Sequence, residues 1–209
     1  MISFVYFDVG GVVMKDTTVG DAWAKMRKDI GIKPEDNARY DAYYAEYEKD
    51  VCRGFKDIDT IIPFLEKEFS LVFPNGYSIF TDFVNRFALN ESIIPVVTAV
   101  DKKMPVGLLT NMYPRMLDEI NKRHLIPEFN WEFIVDSSVV HAMKPDKEIY
   151  EIAQKRIGVS ADQILFIDNS KKNIDGARAA GWQAYWYDPA DCEKSSKLLE
   201  EYMQNLNTV

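Results

Sequence analysis

The chain has 209 residues, 47% hydrophobic and 28% charged, which supports one large domain, or a domain carrying an insertion, and excludes a disordered or low-complexity protein. Its formal net charge is -8 without any Lys/Arg-rich run, so a nucleic-acid scaffold, which needs clustered cations against phosphate, is excluded too. Two distant cysteines, Cys52 and Cys192, give neither a disulfide framework nor a zinc spacing, and a reducing cytoplasm fits them best.

From Met1 the chain is apolar, but it lacks a basic flank and reaches Asp8 too soon for a signal peptide. No apolar run reaches transmembrane length, so no membrane partner is expected. Ile2 to Phe7 is a β-branched and aromatic run ending at Asp8 and followed by Gly10-Gly11, the pattern of a buried strand entering a tight turn.

Between Lys15 and about Asn90 the periodicity is helical. Four stripes recur at helical spacing: Val19, Ala22, Trp23, Met26, Ile30; then Tyr40, Tyr43, Tyr44, Tyr47; then Ile58, Ile61, Ile62, Leu65, Phe69; then Phe80, Phe83, Val84, Phe87. Such stripes are expected to pack on one another as the core of a helical bundle.

Further strands are predicted at Val106–Thr110, Phe133–Val135, Ile164–Ile167 and Ala184–Tyr187, separated by helical patterns as in βαβ crossovers. The expected fold is therefore α/β: a Rossmann-like parallel sheet with helices on both faces and an inserted helical-bundle cap. Residues 1–14 and 91–209 form the expected core and 15–90 the cap, with crossings at Met14 to Thr18 and Leu89 to Ser92.

In open α/β sheets ligands bind beyond the carboxyl ends of the strands. Asp8 ends the first strand, Thr110-Asn111 the second and Asp168-Asn169 the fourth, while Lys144-Pro145 lies in the loop after the third. Two carboxylates at one buried edge invite a hard cation, and magnesium suits oxygen ligands that leave room for water and a substrate phosphate. A hydroxyl, an amide and an ammonium complete a phosphate cradle.

In this order, Phe-Asp8-Val-Gly10-Gly11-Val, Leu-Leu-Thr110-Asn111, Lys144-Pro145 and Phe-Ile-Asp168-Asn169-Ser-Lys-Lys-Asn173 resemble the haloacid dehalogenase-like hydrolase superfamily, whose small helical cap follows the first motif. The resemblance implies that Asp8 is a nucleophile forming an aspartyl-phosphate, with magnesium held by Asp8, the Gly10 carbonyl and Asp168. It further implies that Lys144 is catalytic and phosphate-binding, that Thr110 and Asn111 bind phosphoryl oxygens, and that Asn169 and Asn173 lie in a second layer. The expected partner is a small phosphorylated metabolite; the oligomeric state is not fixed by the sequence.

Two positions depart from the pattern. Family phosphatases usually carry an acid two residues after the nucleophile, and here that residue is Gly10; Asn169 stands where an aspartate often follows. Haloacid dehalogenation by the same aspartate, and a degenerate member that only binds a phospho-ligand or a protein, are the alternatives.

Asp8 and Asp168 also have ordinary readings as turn residues, Lys144 as an exposed lysine, and Asp175 and Asn173 as helix-start residues. His124, within a helical pattern, and His141 are expected at the surface, as is Arg53 in a solvated loop.

Overall fold

The computed structural model describes residues 1–15 and 20–206. Strands β1 (Phe4–Phe7), β2 (Val106–Thr110), β3 (Phe133–Asp136), β4 (Ile164–Asp168) and β5 (Gln183–Trp186) form one sheet in the order β3-β2-β1-β4-β5. Every pairing is parallel. The expected strands are all present, with ends displaced by no more than two residues.

Alternation along the strands feeds two cores. Val5, Phe7, Val106, Leu108, Leu165 and Ile167 enter one, and Phe4, Tyr6, Leu109, Val135, Ile164 and Phe166 enter the other. Both faces of the sheet are thus covered, which is why its strands read as continuous apolar runs.

Five helices lie between β1 and β2: α1 (Gly20–Asp29), α2 (Asn37–Cys52), α3 (Ile62–Phe69), α4 (Ile79–Arg86) and α5 (Ile94–Asp101). They are followed by α6 (Met116–Lys122) after β2, α7 (Ser137–Val140) and α8 (Lys147–Ile157) after β3, α9 (Lys171–Ala179) after β4, and α10 (Cys192–Asn205) after β5. Residues of α5, α6 and α10 pack into the first core, and residues of α8 and α9 into the second. None of the helices among the described residues is long and apolar enough to cross a membrane.

The aromatic stripes are core, as expected: Tyr40, Tyr44, Tyr47, Phe80, Phe83 and Val84 are all buried. Val19 lies outside the described residues. The stripe from Ile58 to Phe69 divides, with Ile58–Ile61 forming a 3-10 turn before α3. Asp57 caps that turn by accepting from the Asp59 N–H (2.9 Å), and Pro63 at the start of α3 has no N–H to lose.

His124 is not in a helix. Chain reversal ends α6 at Lys122: His124 takes a left-handed conformation (φ 54°), and the Leu125 N–H returns to the Ile120 carbonyl at 2.9 Å. Leu125 is thereby drawn against the core, as in a Schellman ending.

The chain leaves β1 and returns to the sheet side by side. Lys15 N–H donates to the Ala88 carbonyl (2.9 Å) and Asn90 N–H to the Val13 carbonyl (3.0 Å), with an antiparallel bridge between Met14 and Leu89. Buried Asn90 adds its side-chain amide to the Val12 carbonyl (2.7 Å) and the Tyr187 hydroxyl (2.9 Å). Of the crossings read from the sequence, Met14, Lys15 and Leu89 to Ser92 are described, and Asp16 to Thr18 lie outside the described residues.

Candidate active site

β1 sits at the centre of the sheet with β2 on one side and β4 on the other, so connections depart in opposite directions around its carboxyl end. That is where a crevice opens in such sheets. Asp8 follows β1, its N–H still donating to the Ile167 carbonyl at 2.9 Å, and Asp168 ends the neighbouring β4.

Lys144 stands between the two carboxylates. Its Nζ lies 2.8 Å from Asp8 Oδ1 and 2.7 Å from Asp168 Oδ2, and it donates to the Leu109 carbonyl at 2.9 Å. Far from being exposed, Lys144 is 1% accessible, against 7% for Asp8 and 0% for Asp168; two buried anions hold it where a lone buried lysine would be unstable.

Burial pushes the Asp8 carboxyl up to about 8, the Asp168 charge adds to that, and Lys144 only partly opposes it. For Lys144, burial works against the charged form, but Asp168 and Asp8 outweigh it and hold the ammonium above its ordinary value.

The neighbours fix this trio. Asp168 Oδ1 accepts from the Ser170 N–H (2.7 Å), and Asn173 Nδ2 donates to both Asp168 oxygens (3.1 Å each). Asn173 is thus joined to the site, whereas Asp175 is exposed and faces Arg178 at 3.9 Å. Asn111 clamps the lysine backbone: its Nδ2 donates to the Lys144 carbonyl (2.9 Å) and its Oδ1 accepts from the Lys144 N–H (2.8 Å). Thr110 is buried at the end of β2, its hydroxyl 3.5 Å from the Asn111 carbonyl, the outer limit of a hydrogen bond.

The two glycines after Asp8 differ. Gly11 has φ +83°, and a Cβ there would come within 2.0 Å of Asn169 Nδ2, so only glycine fits the turn against the Asn169 side chain. At Gly10 a Cβ would meet nothing within 4 Å. An acid at that position is therefore absent for no steric reason.

Asp8, Gly10, Asn111, Lys144, Asn169 and Asn173 line one cavity of about 450 Å³. The rest of its lining, Glu48 and Cys52 among it, comes from residues that sequence reasoning left unassigned or read only as core. Tyr44, Glu48 and Cys52 recur every fourth residue on α2, and so share a face. The Tyr113 hydroxyl donates to Glu48 Oε1 at 2.5 Å and is hydrogen-bonded to the Tyr44 hydroxyl. Burial raises the Glu48 carboxyl, with the Tyr113 hydrogen bond opposing. The signal was the i, i+4 spacing of Glu48 from Tyr44, overlooked beside the aromatic stripe.

Arg53 pairs with Asp146 (2.6 Å), His124 with Glu128 (2.9 Å), and His141 Nδ1 meets the Arg53 carbonyl (2.8 Å). None of these three engages the carboxylate pair.

Among the described residues no group of three or more His, Cys, Asp or Glu is placed to enclose a metal ion. Two buried carboxylates against one ammonium do fit a hard cation that takes its remaining oxygens from water and ligand.

A parallel α/β sheet with paired carboxylates at its switch point defines an α/β protein with a polar site at the sheet's carboxyl edge. The family model for haloacid dehalogenase-like hydrolases matches residues 2–181, and the chain belongs to that family. It is similar to the (S)-2-haloacid dehalogenase of Pseudomonas fluorescens, 27% identical over 85 residues, or 40% of this chain and 36% of that enzyme. It is also similar to phosphatase MT3486 of Mycobacterium tuberculosis (strain CDC 1551 / Oshkosh), 35% identical over 89 residues, or 41% of this chain and 39% of that protein. The matched stretches thus span well under half the length of these relatives. Among solved structures, the HAD family enzyme bt-2542 of Bacteroides thetaiotaomicron, an asp12ala mutant in complex with magnesium and inorganic phosphate, superposes with a TM-score of 0.71 at 17% identity, covering 91% of this chain and 96% of that one.

Proposed function

We propose that this hydrolase is a magnesium-dependent phosphatase of small phosphomonoesters, acting in a reducing cytoplasm, with 1–14 and 91–209 as catalytic core and 15–90 as cap. The observation that carries the reading is the buried Asp8–Lys144–Asp168 trio, of which Asp8 and Lys144 line one cavity. The phosphatase among its relatives and the phosphate and magnesium in bt-2542 support it.

Asp8 attacks phosphorus in line, forming an aspartyl-phosphate as the alkoxide departs, and water then hydrolyses that acyl phosphate to free Asp8 and inorganic phosphate. Lys144 holds the nucleophile and a phosphoryl oxygen together, while the Thr110 hydroxyl and the Asn111 N–H bind the other oxygens. Asn111 has its side chain committed to Lys144, which is why its backbone is the part assigned to phosphate. Asn173, with Asn169 beside it, orients Asp168. Asp8, Asp168 and the Gly10 carbonyl would hold the magnesium ion, which supplies charge neutralisation where an anion must meet an anion.

Phosphate release from a panel of monoesters, measured with magnesium, tests the reading. Asp8→Asn should abolish turnover. Turnover that survives this substitution rules out the aspartyl-phosphate route. The dehalogenase relatives favour one rival, carbon–halogen hydrolysis by the same Asp8; halide release from a haloacid, persisting after magnesium is chelated, would put that rival first.

A further inference from the structure

The apolar part of the cavity lining says which alcohol the ester carries, an inference that rests on the phosphatase reading. Five of the chain's eight methionines, Met14, Met26, Met112, Met116 and Met143, line this one cavity. They come from the first crossing, α1, the loop after β2, α6 and the loop before α8, so no single helical stripe accounts for their convergence. Phe83 and Phe87 join them.

Such a wall gives dispersion contacts and adaptable shape but few hydrogen-bond partners. A polyhydroxylated leaving group would bury hydroxyls without partners, each bearing the desolvation penalty of an unsatisfied polar group. Of the charged and phenolic groups in the lining, Arg86 is committed to Asp29 (2.7 Å) and Asp82 (2.9 Å), the Tyr113 hydroxyl to Glu48 (2.5 Å), and Lys15 is exposed. Glu48 differs. It lines the same cavity, accepts from one hydroxyl donor, and forms no ion pair among the described residues.

We propose that the substrate is the phosphate monoester of an apolar alcohol bearing an ammonium group at its far end, with its carbon skeleton against the methionines and its ammonium on Glu48. The phosphoryl group then lies at Asp8 and Lys144, and the cation restores a charge pair at the only uncompensated acid of the wall that is described.

The test compares kcat/KM with magnesium for benzyl phosphate, para-aminomethylbenzyl phosphate and mannitol phosphate esterified at its terminal hydroxyl. All three release a primary alkoxide, so intrinsic reactivity differs little. Acetyl phosphate, which needs no contact with the wall, reports on the phosphatase reading itself. The aminomethyl ester should exceed benzyl phosphate by about tenfold or more, as expected for a charge-assisted contact, and benzyl phosphate should exceed mannitol phosphate. Glu48→Gln, which keeps an acceptor for Tyr113, should erase the lead of the aminomethyl ester.

Mannitol phosphate equal to or better than benzyl phosphate overturns the proposal on the unmutated protein alone, and so does a lead that survives Glu48→Gln. If acetyl phosphate is hydrolysed while the order is wrong, only this inference falls. If acetyl phosphate is also inert, the phosphatase reading falls and takes this inference with it.

Discussion

At the carboxyl edge of the sheet each charged group is held from several directions: Asp168 by Lys144, the Ser170 N–H and Asn173, and Lys144 by Asp8, Asp168 and the Leu109 carbonyl. Elsewhere in the cavity lining, methionines and phenylalanines make contacts that have no direction, beside the oriented Glu48–Tyr113 and Arg86–Asp82 pairs. The sheet edge fixes where atoms sit, and the wall fixes only how much apolar volume they have. On the proposed reading, chemistry that tolerates no displacement is built on strand ends, and selection among leaving groups is left to side chains that can repack.

Breaking the edge should have the larger effect. Lys144→Met leaves two buried carboxylates facing each other without their shared cation, and should lower stability by about 3–5 kcal/mol at neutral pH, read from urea unfolding, together with loss of turnover. Unchanged stability would mean that the trio is not a closed electrostatic unit.

The border between the regions gives a gain rather than a loss. Gly10→Asp adds a carboxyl where a Cβ meets nothing within 4 Å, and on the proposed reading it supplies the missing proton donor. Turnover of alkyl phosphates should rise by about a hundredfold, the lower end of what general acid catalysis contributes. A rate that stays level would show that a proton donor is already in place. At the wall, Met143→Leu preserves volume and should change stability by less than about 1.5 kcal/mol. A larger loss by thermal unfolding would make the wall as exacting as the edge.

The sheet was legible because its strands are short β-branched runs stopped by turn residues, and because a doubly covered strand carries no polar interruption. Asp8, Thr110 and Asp168 were legible for the same reason, each standing where an apolar run ends. Lys144 was legible only through resemblance: nothing in Lys-Pro reveals that the side chain runs inward to 1% accessibility. The Asn111 clamp on the Lys144 backbone joins residues 33 apart, and the methionines of the wall come from five places. Such contacts depend on how elements stack, which local periodicity does not encode. His124 was misplaced because its apolar neighbour Leu125 continued a helical pattern, while the backbone reversed to bring that same leucine to the core.

The adjacent crossings at Val13–Lys15 and Ala88–Asn90 have a consequence for how such a chain diversifies. Because the segment between them departs and returns through neighbouring peptides tied by direct hydrogen bonds, its length and contents impose no strain on the register of β1 with β2 or β4. A lineage, or an engineer, can exchange that segment through one doorway and alter what the cavity admits, while the reactive edge is inherited intact.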